Sequence, residues 1–296
     1  MNYYNEIKER LINNEVYSRV KDYSKERHTL LTHYEVGKLL LEAGNKYGDD
    51  IIGNYSNRLT VEVNRKYNPR TLRRMRQLYQ FFEKQKWSPV GTKLSISHIR
   101  QLFSLNDNYE IKYYAEQVEK LNLSKRQLEE IIKNKEYERL PIETKNKLAT
   151  EDKIDVKDLV PNPILIKNKN NIEIVTEKVL YYLILEDIES FMNELGNGYS
   201  FIGSEYPIKV SNRYNYIDLL LFNIEFNCYV VVELKITELK KEHMGQIQIY
   251  MNYIDENVKK IEHDKTIGII ICKQDDEYVI RYCSDNRTIS REYIIK

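Results

Sequence analysis

Tyr229-Val230-Val231-Val232-Glu233-Leu234-Lys235, with Tyr216-Ile217-Asp218-Leu219-Leu220 a short way upstream, decides how the second half of this 296-residue chain is read. An aromatic followed by three valines predicts a buried strand, until two charges arrive at its end. Side chains of a strand alternate between faces, so Val231, Glu233 and Lys235 point one way while Val232 and Leu234 point the other. An acid and an ammonium therefore sit together at the end of an apolar strand. Either one alone there costs several kcal/mol unless it is paired or bound to a cation.

Asp218 falls in the preceding strand, across a hairpin whose turn lies near Ile224 to Asn227. Adjacent antiparallel strands can bring Asp218 beside Glu233, and two carboxylates in such a setting suit a hard divalent cation. Mg²⁺ is expected, with Mn²⁺ as an alternative, because Mg²⁺ keeps several waters and uses one or two carboxylates plus phosphate oxygens. Lys235 can then orient a metal-bound water and stabilise developing charge, which is the chemistry of phosphodiester hydrolysis. Downstream, Gln246 and Tyr250 are four apart on an expected helix and share a face, so Gln246 can hold a water or a phosphate oxygen. The plainer alternative is a strand-end Glu233 and Lys235 paired with each other at a solvated edge.

Around these residues the pattern is one of mixed helices and strands. Thr176 to Leu195 reads as one long helix; Tyr199 to Ile202, Tyr206 to Val210, Tyr214 to Phe222 and Tyr229 to Lys235 read as strands. A helix from about Lys240 to Tyr253 follows, then strands over Thr266 to Cys272 and Tyr278 to Tyr282. This predicts an α/β or α+β domain on a central mixed sheet over residues 171–296. Residues 141–170, charged and punctuated by Pro141, Pro161 and Pro163, read as a linker, and residues 1–140 as a helical domain.

In that first domain, residues 1 to 45 read as helix, interrupted afterwards by Gly44, Gly48 and Gly53. Asn68-Pro69 marks a helix start, since Asn68 can cap and Pro69 suits the first helical position. Leu72, Met75, Leu78 or Tyr79, and Phe82 form its buried stripe, so Arg70, Arg73, Arg74 and Arg76 gather on or beside the opposite face, with Arg65 and Lys66 ahead of the cap. Guanidinium groups at a helix N-terminus suit phosphates, which makes these six residues candidates for nucleic-acid binding. A solvated face, or arginines bridged to Glu62 and Glu83, is the alternative. Further helices open at Leu94 to Phe103 and at the S-x-x-Q capping box Ser124 to Gln127, a set compatible with a helix-turn-helix or winged-helix unit. His98 reads as a core or capping residue, and His28 and His33 likewise.

The overall charge of +1 conceals an asymmetry: residues 1–150 carry 28 Lys+Arg against 20 Asp+Glu, and residues 151–296 carry 18 against 25. A basic half suits a polyanion and an acidic half suits a carboxylate cluster that holds cations, although mutual attraction of the halves would also explain the count. Cys228, Cys272 and Cys283 are too few and too scattered for a zinc ribbon and read as small residues in a reducing compartment. No apolar run approaches the roughly 18 residues of a membrane span, and the first residues lack a signal-peptide pattern, so a cytoplasmic protein without membrane partners is expected.

The order Asp218, Glu233-Leu234-Lys235, Gln246 resembles the PD-(D/E)XK nuclease superfamily, whose sheet domain is restriction-endonuclease-like. The surrounding words, Glu194-Leu195-Gly196-Asn197-Gly198-Tyr199-Ser200-Phe201-Ile202-Gly203, Tyr216 to Leu220, Gly245-Gln246 and Tyr250, are similar to the bacterial YhcG-like family. Arg73 to Tyr79 and Leu94 to His98 resemble that family's helical N-terminal domain. The resemblance implies a Mg²⁺-dependent DNA endonuclease with Asp218 and Glu233 as metal ligands, the Leu234 carbonyl as a third, Lys235 as the catalytic lysine and Gln246 as an accessory group. It departs from the family in two places. Ile217 replaces the proline of the superfamily's name, and Tyr181 stands where many relatives carry a second acid, leaving Glu177 or Glu186 to substitute. Two functions compete: a nuclease targeted by its basic helical domain, and a nuclease-fold scaffold that binds DNA or RNA without cutting it. RNA as partner, the DNA structure preferred and self-association stay open on the sequence.

Overall fold

The computed structural model describes residues 2–19, 24–44, 50–173, 176–283 and 286–296. The chain divides into two compact units, Met1–Asn134 and Lys135–Lys296. Among the described residues of the first unit there are helices and no strand, so no β-wing of a winged helix is present there. Its helices are α1 (Tyr3–Arg19), α2 (Ser24–Ala43), α3 (Ile51–Glu62), α4 (Pro69–Gln85), α5 (Ile96–Leu102), α6 (Asn108–Leu121) and α7 (Lys125–Lys133). The expected helix over residues 1–45 is therefore α1 and α2, and Gly48 falls outside the described residues.

Helix α4 starts where its sequence says it should. The Asn68 side chain accepts the Thr71 N–H at 3.1 Å, Pro69 occupies the first turn, and Leu72, Met75, Leu78, Phe81 and Phe82 are buried. At Gly37 the α2 backbone lies so close to α4 that a Cβ would stand 2.1 Å from the Met75 carbonyl oxygen, so only glycine fits there. His98 closes a capping box, its Nδ1 accepting the Ser95 N–H while Ser95 Oγ accepts the His98 N–H, both at 3.2 Å. The Ser124–Gln127 box at the head of α7 is formed as well.

The second unit contains α8 (Glu136–Arg139), α9 (Ile142–Thr150), a 3₁₀ turn (Val156–Leu159), β1 (Ile164–Ile166), α10 (Glu177–Glu186), α11 (Ile188–Leu195), β2 (Tyr199–Val210), β3 (Arg213–Asn223), β4 (Cys228–Leu234), α12 (Lys241–Asn257), β5 (Ile267–Cys272), α13 (Glu277–Cys283) and β6 (Thr288–Ile295). Six strands form one sheet in the order β1-β6-β5-β4-β3-β2. β2, β3 and β4 are antiparallel, and β4, β5, β6 and β1 run parallel. The central strands β4 and β5 are covered on both sides, which is why they read as nearly unbroken apolar runs. Val230, Val232 and Leu234 face the core under α10 and α11, while Val231 faces the core under α12. Gly268 on β5 lets α12 approach, since a Cβ there would stand 2.8 Å from Ile247 Cδ1.

Four expectations need correction. Residues 141–170 are not a linker: β1 pairs with β6, and Val156, Val160, Ile164 and Ile166 belong to the core of the second unit. Arg139 locks the same segment by an ion pair to Glu194 and a 2.6 Å hydrogen bond to the Pro163 carbonyl. Tyr278 to Tyr282 is helical, because the Asp276 carboxylate accepts the Tyr278 and Val279 N–H groups and so caps α13; the last strand is β6. The long helix over Thr176 to Leu195 breaks at Asp187, whose side chain accepts the Ser190 N–H and caps α11. The two strands expected over Tyr199 to Val210 are one, carrying a bulge between Phe201 and Gly203 where a break was read.

Candidate active site

The β3–β4 ladder ends at the pair Leu219 and Val232, and the two strands diverge beyond it. Asp218 stands at this fork. Its Oδ2 accepts the Leu234 N–H at 2.8 Å, taking a main-chain donor that has lost its ladder partner. One residue on, the Lys235 N–H bonds across to the Ile271 carbonyl and keeps the end of the stretch tied to the centre of the sheet. Sequence pattern and turn length thus bring Asp218, Glu233, Leu234 and Lys235 together.

Glu233 is 2 % exposed, and its Oε1 is buried with no hydrogen-bond partner. The other oxygen, Oε2, lies 3.3 Å from Lys235 Nζ. Lys235 Nζ is also 3.7 Å from Glu177 Oε2, so one ammonium serves acids from two elements, β4 and α10. Burial, followed by the charge of Asp218, raises the pKa of Glu233; burial likewise raises that of Asp218, against the lowering effects of the Leu234 N–H and Lys235. Burial lowers the pKa of Lys235, but Glu233, Glu177 and Asp218 outweigh it and the net direction is upward.

Without a cation the two carboxylates strain toward protonation, and a divalent ion reverses the sign of that strain. The orphaned Glu233 Oε1 beside a second carboxylate is a donor set that fits a hard cation. Among the described residues no group of three or more His, Cys, Asp or Glu side chains is placed to hold a metal. Two carboxylates of this kind suit a hard divalent cation that keeps part of its water shell.

Helix α12 supplies the remaining wall. Gln246 Nε2 donates to Tyr250 Oη at 2.9 Å, as their spacing of four predicts. Tyr250 feels the charges of Glu233, Asp218 and Lys235. His243, three residues before Gln246, was not singled out in the sequence, yet it feels Lys235 and Glu177, and its pKa is lowered by burial and then by Lys235. Its spacing from Gln246 was the available signal. Glu205, also missed, lies on β2 between the residues paired with Leu219 and Ile217 and adds to the negative field at Asp218.

The two candidates for the acid missing at Tyr181 separate clearly. Tyr181 is 9 % exposed and packs in the core. Glu186 accepts a hydrogen bond from Asn170 Nδ2 at 3.0 Å, whereas Glu177 reaches Lys235. Glu177, in the first turn of α10, is therefore the acid that lies beside Lys235.

In the first unit, Arg65, Arg70 and Arg73 are exposed, and Arg74 and Arg76 are half-buried. Lys66 is held by Glu15 at 2.5 Å. Glu62 is taken by Lys8 and Arg58, and Glu83 by Tyr34, so neither acid bridges to these arginines. Arg100 of α5, overlooked in the sequence, sits close enough to Arg74 and Arg70 to feel their charge. A cavity of about 320 Å³ in this unit is lined by Phe82, Trp87, Leu94, Lys112 and Glu116 among others, and includes none of Asp218, Glu233 and Glu177.

A mixed sheet with an acid at a strand fork and Glu-x-Lys on its neighbour defines a PD-(D/E)XK nuclease domain. The family model of the YhcG PDDEXK nuclease domain matches residues 158–293, and the model of the DUF1016 N-terminal domain matches residues 9–139. The chain is 22 % identical over 285 residues to YhcG of Escherichia coli (strain K12), itself described only as a candidate nuclease, over 82 % of this chain and 76 % of that protein. Residues 158–293 thus carry a YhcG-type PD-(D/E)XK domain, and the chain as a whole is similar to YhcG. Among solved structures, a repair endonuclease from Pyrococcus abyssi is similar at 20 % identity over 44 % of this chain and 49 % of its own, with a TM-score of 0.29. An EndoMS complex with double-stranded DNA is similar at 17 % identity over 44 % and 48 %, again with a TM-score of 0.29. Thus the chain spans about half the length of either solved protein.

Proposed function

We propose that the second unit hydrolyses DNA phosphodiester bonds internally, with a divalent cation held by Asp218 and Glu233, and that the arginines of the first unit hold the DNA. The observation that carries this reading is the orphaned, buried Glu233 carboxylate beside Asp218, with Lys235 Nζ within 3.3 Å. When bound, the cation supplies positive charge for the scissile phosphate and acidifies a water, with Mg²⁺ or Mn²⁺ as the ions whose coordination suits it.

The chain's own groups do the rest. The Lys235 ammonium donates a hydrogen bond to a phosphate oxygen and stabilises the charge that builds as a water oxygen, losing its proton to solvent, bonds to phosphorus and the bond to the sugar oxygen breaks, that oxygen taking a proton from solvent. Glu177, 3.7 Å away, orients that ammonium. Gln246 gives one of its two amide N–H groups to Tyr250, which orients the other N–H and the carbonyl oxygen for a water or a phosphate oxygen. Leu234, whose carbonyl the family resemblance makes a third ligand, is held at the fork by its own N–H to Asp218. In the first unit, Arg65, Arg70, Arg73, Arg74 and Arg76, joined by Arg100, supply the phosphate contacts, and Lys66 contributes less while Glu15 holds it.

The test is incubation of the protein and its Lys235→Ala variant with supercoiled, linear and branched DNA in Mg²⁺ or Mn²⁺. Cleavage by the parent and loss in the variant is expected. Cleavage by neither, with tight binding in both, supports the scaffold reading, which the packing of Tyr181 into the core favours.

A further inference from the structure

The sheet is asymmetric at one edge. β3 pairs with β4 only from Leu219 onward, whereas its pairing with β2 continues through Lys209 and Tyr214 to Val210 and Arg213. Residues 203–218 thus make a two-stranded ribbon that runs on past β4 from the fork at Asp218. One side of it is fastened down: Ile208 and Ile217 are buried in the core against α12, and Tyr206 and Val210 pack beside them. The other side is open and does not look like ordinary edge-strand polarity. Tyr214 and Tyr216 are 65 % and 56 % exposed, alternate with buried Ile217, and lie four and two residues before Asp218 at the fork.

The residues opposite them complete a row. Lys209 pairs with Tyr214 and holds its ammonium 6.0 Å from the ring centroid; Pro207 pairs with Tyr216. Arg213, exposed at the tip, pairs with Val210 and belongs to the other alternation. The row is therefore aromatic with Lys209 beside it, and along the ribbon it leads to the acidic fork. Large aromatic faces left in solvent on a docked, twisted ribbon contribute nothing to the core, and steps of two residues set them about 7 Å apart. Aromatic rings interleaved with cations are what sequence-tolerant stacking of bases requires. Paired bases cannot offer their faces to such a row, but those of an unpaired strand can be splayed onto it.

We propose that this face of the β2–β3 ribbon is a stacking platform for the bases of an unpaired DNA strand, with Tyr214 and Tyr216 guiding it toward Asp218 and Glu233. It rests on the nuclease reading above and sharpens its substrate to DNA with an unpaired stretch, such as a flap or a branch.

The test uses the full chain in the Lys235→Ala background, so that DNA survives the measurement. Binding of a labelled duplex carrying a single-stranded flap is compared with that of the fully paired duplex, with Mg²⁺ present. The flap DNA is expected to bind more tightly, and the Tyr214→Ala/Tyr216→Ala pair to lose about tenfold or more of that affinity while duplex binding changes less than about twofold. Replacement of both by Trp should keep the preference. Equal binding of the two DNAs by the parent, or a preference untouched by alanine, overturns the proposal. So does an alanine variant that alters only the oligomeric state in sedimentation, which would assign the face to a second copy of the chain. Loss of cleavage in the wild-type assay with an intact flap preference would instead sink the nuclease reading alone.

Discussion

Each unit concentrates one sign of charge, and the two do so at opposite depths. In the second, half-buried Asp218 and buried Glu233 stand at the ends of apolar strand segments, and Asp218 makes Glu233 harder to ionise. In the first, Arg65, Arg70, Arg73 and Arg100 stand in solvent, where like charges are screened and cost the fold little. The difference is that between a site the fold must oppose and a surface it merely tolerates. Buried acids leave marks in packing and hydrogen bonding; an exposed patch leaves only its charge.

That contrast can be broken by experiment. The largest effect is expected from Lys235→Ala, which should lower the cleavage rate on supercoiled DNA by about 10²–10³-fold; an unchanged rate would return Lys235 to a structural ion pair. Reversing charge at Arg70, Arg74 and Arg100 together should weaken DNA binding and flatten its salt dependence by about one unit of slope per arginine. A slope equal to the parent's would remove the patch. Glu233→Gln should raise stability in metal-free buffer by roughly 1–3 kcal/mol, because it deletes a buried charge, while the arginine variants stay within about 0.5 kcal/mol in the same denaturant titration. A less stable Glu233→Gln protein would show that the fold depends on that carboxylate.

The smallest effect concerns His33. Burial, then the charges of Arg100 and Lys66, lower its pKa to about 4. The folded first unit thus keeps His33 neutral, while the unfolded chain takes up a proton near pH 6.5. Stability is full above that pH and declines as the pH falls toward about 4, by about 1–2 kcal/mol given partial exposure. Urea titrations at pH 7 and pH 4.5 should show this difference, and His33→Gln should abolish it.

Much of the second unit could be read from residues, and the reason is burial. Nearly unbroken apolar runs at Cys228–Leu234 and Ile267–Cys272 have few alternatives to central strands, and a charge placed near the end of one demands an explanation. Local capping was also legible at Asn68, Ser95 and Ser124, where side chain and backbone are neighbours in sequence. What escaped was decided by tertiary pairing or by short-range competition. Ile164–Ile166 is too brief to declare itself a strand without Tyr293–Ile295 beside it. The aromatic alternation at Tyr278–Tyr282 lost to the cap offered by Asp276. Arg100 is distant in sequence from the arginines it joins, and the choice between the candidates Glu177 and Glu186 waited on the folded chain, which brings Glu177 to Lys235.

The pairing of β1 with β6 has a practical consequence for dissecting the chain. A fragment begun at residue 171 would lack β1, Arg139 and the apolar residues Val156 and Val160, and would leave β6 as a bare sheet edge over a partly opened core. Such an edge is a template for self-association, so the truncated domain is expected to aggregate. A fragment begun ahead of Lys135 keeps the edge strand, the Arg139–Glu194 ion pair and the sealed core together, and is the one suited to separate expression.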